Sequence, residues 1–180
     1  MKTGTFRTLS SVALGLMVLA SNAQEMGPPA ELKVLEPLLG SWTGKLDYDM
    51  MGEKGAMDIK IAYSWDGMML KGVQDYTMGD MKMGETSFTF WNDKTKKVTT
   101  HFYATFAPVP RVETLTMKGQ SQVWMGEPWS VAPGMDIVGR ATITVNPDKT
   151  AMDYLLEFQE GDKWNKVIWG TLKKAPTASK

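Results

Sequence analysis

Residues 57–67 read Met-Asp-Ile-Lys-Ile-Ala-Tyr-Ser-Trp-Asp-Gly, and this stretch decides the fold class. Its large apolar side chains occupy every second position, namely Met57, Ile59, Ile61, Tyr63 and Trp65. Strict alternation predicts a β-strand with one buried face and one face in water. The Asp-Gly pair at its end, followed by a second apolar segment at 68–76, predicts a tight hairpin.

The same pattern recurs along most of the chain. Further strands are predicted at 44–50, 85–91, 97–105, 136–145, 150–158 and 164–172, with one or two more within 111–123. Polar or glycine-containing turns separate them, and no helical period intervenes. About eight to ten strands at regular spacing indicate an all-β sandwich or an antiparallel up-and-down barrel.

Two segments depart from the alternation. Leu32, Leu35, Leu38 and Leu39 have a helical spacing, which predicts a short helix that plugs one end of the domain and that Pro37 limits to a turn or two. The Pro- and Gly-rich residues 125–135 predict a loop. That loop is expected either to close a binding site or to cover the edge of the core.

The N-terminus has the form of a bacterial signal peptide. Lys2 and Arg7 precede a nearly unbroken apolar run at 9–20, which is shorter than the roughly 20 residues of a membrane span. Small residues then lead to Ala23, after which we expect cleavage, and the protein is expected in the periplasm or secreted. The domain plan is a signal peptide at 1–23, a flexible leader at 24–30, a barrel domain at 31–174 and a tail at 175–180.

Composition narrows the classes of partner. The chain has 20 basic and 20 acidic residues, so without Lys2 and Arg7 its formal charge is −2. No basic footprint for nucleic acid is present, and no later apolar stretch reaches spanning length. The absence of cysteine excludes thiol catalysis and disulfides, and no common hydrolase or phosphate-loop motif occurs. We therefore expect neither a nucleic-acid partner nor an enzyme, and the oligomeric state stays open.

The opening of the predicted barrel resembles a known superfamily. A short helix followed by Gly40-Ser41-Trp42-Thr43-Gly44 is similar to the start of lipocalins and other calycins, where this Trp closes the barrel floor. More narrowly, 38–44, the Met/Gly-rich 78–84 and the stretch 90–97 resemble a bacterial exported family of unknown function. The resemblance implies a lipocalin-like barrel, a structural role for Gly40, Trp42 and Gly44, and a basic residue (Lys173, Lys174 or Arg140) packed on Trp42. It implies no established activity.

Nitrobindin-like haem barrels open with a similar Leu-Gly-x-Trp-x-Gly element and bind haem through a His late in the chain. Here the matching region, 164–174, contains no His. The sequence therefore predicts no cofactor and argues against haem.

A lipocalin-like barrel suggests an apolar cavity with a few polar groups. Its predicted lining comprises Tyr63, Phe90, His101, Tyr103, Trp124, Trp129 and Tyr154. Phe88 is also placed on the inner face, together with residues of the last strands. The orientation of the strand that carries His101 stays open, because both of its faces are mixed.

Fifteen methionines are the unusual compositional feature. Met78, Met81 and Met83 resemble an exported Cu(I) thioether site, since soft thioethers select Cu(I). Methionine also suits an adaptable cavity mouth or plain packing. The leading hypothesis is an exported, non-catalytic binder of a small apolar or amphipathic molecule; the alternatives are a periplasmic Cu(I)-handling protein and a ligand-free structural or interaction barrel.

Overall fold

The computed structural model describes residues 27–50, 52–132 and 134–176. A 3₁₀ helix, Ala30–Leu38, precedes twelve strands. The strands are β1 Gly40–Met50, β2 Glu53–Asp66, β3 Met69–Met78, β4 Met81–Asn92, β5 Lys97–Ala104, β6 Arg111–Lys118, β7 Ser121–Gly126, β8 Trp129–Ala132, β9 Met135–Ile137, β10 Gly139–Val145, β11 Ala151–Glu160 and β12 Lys163–Lys174. The predicted signal peptide lies outside the described residues.

Ten of the strands form a closed antiparallel barrel, which confirms the predicted fold class. Each barrel strand pairs with the next barrel strand along the chain, so that β7 pairs with β10. The ring closes where β1 pairs with β12. Between β7 and β10 the chain makes a separate two-stranded excursion, β8–β9. Segment 125–135, predicted as a loop, therefore contains a strand and the start of another. None of the helices in the described ranges is long and apolar enough to cross a membrane.

The helix runs through Pro37, so the expected limit of a turn or two is wrong. Three residues per turn place Leu32, Leu35 and Leu38 on one buried face. Proline has no N–H to bond the carbonyl three residues earlier. Gln122 of β7 supplies the missing donor, because its Nε2 lies 3.0 Å from Val34 O.

Trp42 joins this helix to the closed end of the barrel. Its Nε1 donates to Leu38 O at 2.6 Å, and its ring is fully buried. Of the basic residues expected on it, Lys174 is the one that packs there, with Nζ 5.1 Å from the ring centroid. Arg140 instead stacks on Trp164, 4.3 Å from its centroid.

The inward face of the barrel is apolar on one side and polar on the other. Met57, Ile59 and Ile61 of β2 are buried, as predicted. On β4, however, the buried residues are Glu85, Ser87 and Thr89. Phe88 and Phe90 alternate with these buried residues and therefore lie on the outer face. Their predicted inward orientation is wrong.

Candidate functional site

The end of the barrel opposite the helix forms an open basin of about 1350 Å³. Its apolar lining comprises Tyr48, Met50, Met78, Phe106, Trp129, Met135, Ile137, Phe158, Trp164 and Val167. Its charged lining comprises Asp49, Glu53, Glu160 and Lys166. These residues come from β1, β2, β3, β8, β9, β11, β12 and the β5–β6 loop, so only closure of the barrel assembles them.

Trp129 of β8 forms one wall of the basin. It is 7% exposed, and its Nε1 donates to Val109 O at 3.0 Å. The Phe106 ring meets it edge to face, with centroids 6.3 Å apart. The indole is thus held in place over the barrel edge. Of the two roles expected for segment 125–135, Trp129 therefore covers the edge of the core.

Arg111 of β6 lies against the inner side of Trp129. Its guanidinium carbon is 4.2 Å from the centroid of Phe102 and 5.5 Å from that of Trp129. Nε lies 2.9 Å from Glu113 Oε1, and Nη2 lies 3.3 Å from Glu85 Oε1. We call Arg111, Glu85 and Glu113 the buried triad, in which two carboxylates share one guanidinium.

The triad is buried deeply enough to shift ionisation. Burial raises the pKa of Glu113, Arg111 lowers it and Glu85 raises it again, with a net upward shift. Burial opposes the charge on Arg111, but Glu113 and Glu85 outweigh it and raise the pKa of the guanidinium. Tyr76 Oη donates to Glu85 Oε2 at 2.9 Å, and burial, followed by Glu85, raises the pKa of this phenol. A proton is therefore held more tightly here than in water.

Beyond the triad, the barrel interior is nearly filled. Within the described residues, a cavity of about 40 Å³ lies inside the barrel, lined by Leu38, Tyr63, Leu70, Gln74, Ser87, Thr89, Thr100, Phe102, Arg111, Glu113, Trp124, Ala141, Ile143 and Tyr154. Pockets for organic ligands usually measure about 300–1000 Å³, so this cavity is too small for one. Within the described ranges, the buried Nε1 of Trp124 has no hydrogen-bond partner.

A narrow gap of about 10 Å³ adjoins both spaces. It shares Trp129 and Phe158 with the basin and Arg111 and Glu113 with the cavity. Trp129 and the triad therefore separate the apolar basin from the polar interior.

The predicted site residues fall into three places. Tyr63, Trp124 and Tyr154 line the interior cavity, and burial raises the pKa of both phenols. Trp129 lines the basin.

Phe90, His101 and Tyr103 lie on the outer face, so their predicted place in a cavity is wrong. His101 pairs in register with the outward Phe88, and its ring meets Phe90 edge to face at 5.3 Å. Tyr103 is 51% exposed and meets Phe88 in the same way at 6.3 Å. On β4 the polar inner face, Glu85, Ser87 and Thr89, turns the phenylalanines outward, and the register of β5 places His101 and Tyr103 beside them.

The buried triad was not among the residues predicted from the sequence. Arg111 and Glu113 are two apart on a strand, a spacing that places both on one face. Such a pair, followed by Leu115 at the same spacing, was the available signal. Glu85 lies 26 residues earlier in the chain, and only the barrel brings it to Arg111.

The methionine-rich hairpin forms as predicted. Met78 pairs with Met81 across the β3–β4 turn, and Met83 pairs with Tyr76. Residues directly opposite share a face, so Met78, Met81 and Met83 lie on one face of the hairpin. In the described part of the chain, no group of three or more His, Cys, Asp or Glu residues could hold a metal ion.

Comparison with known proteins supports the architecture alone. The crystal structure of Rv2717c from M. tuberculosis matches with a TM-score of 0.60, covering 82% of this chain and 99% of that chain. The two sequences are 17% identical, so the likeness shows a common fold and nothing about a ligand. No protein-family model matches the chain, and neither does any curated protein.

Proposed function

We propose that this protein is an exported, non-catalytic binder of a small apolar or amphipathic molecule, held in the open basin. Export rests on the signal-peptide pattern at 1–23, and the finer placement among lipocalin-like proteins rests on Gly40, Trp42 and Gly44. The ligand is placed at the mouth of the barrel, because the interior is filled.

The observation that carries this proposal is the contrast between the two spaces. The basin measures about 1350 Å³ and is walled by methionine, phenylalanine, isoleucine and tryptophan, whereas the interior cavity measures about 40 Å³ and is lined by many polar groups. Concave, largely apolar sites with a few polar groups are typical for small molecules. Met50, Met78 and Met135 add flexible side chains that adapt to ligands of different shape.

The non-catalytic part of the proposal rests on how the ionisable groups are used. Glu85 and Glu113 form ion pairs with Arg111 beneath Trp129, and the side chains of the two glutamates are 2% and 3% exposed. His101 lies on the outer face, away from both spaces. This arrangement keeps the buried triad and His101 away from a molecule in the basin.

Phe106 offers a direct test of where the ligand binds. It is 52% exposed within the basin, and Tyr103 is 51% exposed on the outer face. The two aromatic side chains are thus matched in exposure and differ in location. Neither is buried enough for its truncation to unfold the protein.

We expect the neutral dye Nile red to bind the protein and to fluoresce more strongly. Phe106→Ala should weaken binding about tenfold, since a buried phenyl ring contributes about 1.5 kcal/mol or more. Tyr103→Ala should leave the dissociation constant unchanged. Equal effects of the two substitutions, or no saturable binding, would overturn the proposal. Native mass spectrometry of the exported protein should also show a co-purifying organic mass.

A second candidate, Cu(I) handling, is favoured by the register of the methionine hairpin. Met78, Met81 and Met83 share one face, and Met81 is 58% exposed. If this face binds Cu(I), Met81→Leu should abolish a copper adduct in native mass spectrometry. Met68→Leu is the control, because Met68 is 44% exposed but lies in another hairpin. An adduct that survives Met81→Leu would exclude this site.

A further inference from the structure

The charged groups around the basin are not balanced. Asp49, Glu53 and Glu160 line it, against Lys166. Asp49 is paired with Lys54, whose Nζ lies 2.9 Å from its carboxylate. Counting Lys54 as well, three carboxylates face two ammonium groups, so the rim carries one net negative charge.

The two remaining carboxylates are available to a ligand. Glu53 is exposed, and within the described residues it makes no ion pair or hydrogen bond. Glu160 accepts a hydrogen bond from Asn165 Nδ2 at 2.7 Å and has no cationic partner in the same ranges. Lys166, by contrast, holds its Nζ 3.8 Å from the ring centroid of Trp169, a residue that does not line the basin. Both ammonium groups of the rim are thus engaged, Lys54 by Asp49 and Lys166 by Trp169. The carboxylates of Glu53 and Glu160 have no cationic partner among the described residues.

Beneath the basin, the buried triad excludes the usual way of binding an anion. A guanidinium at the base of a barrel is a natural partner for a ligand carboxylate. Here Glu113 and Glu85 already occupy Arg111, at 2.9 Å and 3.3 Å. When all three groups are ionised, the triad adds a second negative charge. Among the described residues, a carboxylate or sulfate in the basin would therefore meet the excess negative charge of the rim and an Arg111 already paired with Glu113 and Glu85.

The walls of the basin suit a cation. Tyr48, Phe106, Trp129, Phe158 and Trp164 supply five aromatic side chains. Among the described residues, no lysine or arginine stands over the ring of Phe106 or Phe158, whereas Arg111 and Arg140 occupy Trp129 and Trp164. Aromatic faces next to carboxylates are the common means of recognising organic ammonium groups.

We infer that the ligand of this basin is an organic cation, an apolar molecule that carries an amine or quaternary ammonium group. The inference rests on the proposed function and adds the charge of the ligand to it. The apolar part packs on the methionines and Phe158, and the ammonium group lies between the free faces of the aromatic side chains and the carboxylates of Glu53 and Glu160.

The test compares three ligands that share a decyl chain and differ in head group. Decyltrimethylammonium, decyl maltoside and decyl sulfate are used below their micelle concentrations to displace Nile red at pH 7 and low salt. We expect the cation to bind about tenfold more tightly than the anion, since the net negative rim attracts one head group and repels the other. The ratio should shrink at 0.5 M salt, about where screening confines such interactions to a few ångströms.

Charge variants localise the effect. Glu53→Gln should reduce the preference for decyltrimethylammonium about two- to threefold, as expected for removing one exposed charge. Glu36→Gln is the matched control, because it makes the same change in net charge on the helix at the closed end, where Glu36 is exposed. It should leave the preference unchanged.

The possible outcomes distinguish failure of the inference about ligand charge from failure of the proposed function. Preferential binding of the cation, reduced by Glu53→Gln and by salt, supports the inference. Equal binding of all three head groups, or tighter binding of decyl sulfate, overturns the inference and leaves the proposed function standing. If Nile red binds nowhere and no decyl compound binds, the proposed function fails and the inference fails with it.

Discussion

Replacing Arg111 by methionine should destabilise the barrel strongly at neutral pH. The substitution keeps an apolar stem against Phe102 and removes the single cation between Glu85 and Glu113. The side chains of these two glutamates are 2% and 3% exposed, so water cannot replace the lost partner. Two buried carboxylates then face each other without compensation.

The structure sets the magnitude. Each carboxylate is within about 4 Å of the guanidinium, a separation worth about 4 kcal/mol per pair at an effective dielectric constant of 20. Removal of the guanidinium offsets part of this lost attraction, because the free-energy cost of burying its charge disappears as well. Loss of one partner from a buried ionic network typically costs about 3–5 kcal/mol, and we expect Arg111→Met to fall in that range at pH 7.

The loss of stability caused by Arg111→Met should decrease as the pH falls. In the variant the pKa of Glu113, which burial already raises in the parent, loses the lowering effect of Arg111, so the folded state binds more protons than the unfolded chain. Stability from such a group is fully present below the ordinary glutamate pKa of 4.5 and is lost as the pH rises through the raised value. Glu113 already has this sign in the parent. The deficit of Arg111→Met should therefore be smaller at pH 5 than at pH 7, by about 1–2 kcal/mol.

Urea unfolding of parent and variant at pH 5 and pH 7, followed by tryptophan fluorescence, measures both quantities. The control is the triple variant Arg111→Met, Glu85→Gln, Glu113→Gln, in which all three charges are absent. It should recover most of the lost stability, because neutral replacements of a buried ionic network are often tolerated. A deficit below about 1 kcal/mol at pH 7, or one that is independent of pH, would refute the reasoning about the triad.

Two further substitutions test the packing of the barrel by urea unfolding. Trp42→Phe should cost about 2–4 kcal/mol, since it leaves the buried carbonyl of Leu38 without its donor and opens space; a loss under 1 kcal/mol would contradict this role. Gly72→Ala should cost about 1–3 kcal/mol, because its Cβ would collide with Ser87 Oγ inside the barrel. Gly84→Ala on the next strand, whose Cβ would have no neighbour nearer than 3.7 Å, should be neutral or slightly stabilising.

The local sequence pattern was sufficient to predict a strand and its inward face where one face is apolar and the other is charged. In 57–66 each side chain identifies its own face, so the strand and its inward residues followed from the sequence. The hairpin at Asp66-Gly67 followed as well, since Gly67 supplies the positive φ that this turn requires.

The same reasoning failed where both faces are mixed. In β4, threonine, serine and glutamate alternate with phenylalanine, and hydrophobicity alone places Phe88 and Phe90 inside. The barrel reverses this choice because Glu85 must meet Arg111 and because Thr89 and Thr100 bond each other across the strands at 2.8 Å. A polar network is favourable inside only when its partners are present, and those partners lie on other strands.

The sequence by itself determined the all-β class, the hairpin order and the short N-terminal helix, because these depend on residues close together in the chain. The tertiary structure alone decided that β1 pairs with β12 and that Gln122 supports the helix at Pro37. It also decided that the interior is nearly filled and polar on one side, and that the apolar basin lies at its mouth. Side chains from seven strands and a loop meet at that basin, and only closure of the barrel sets the distances between them.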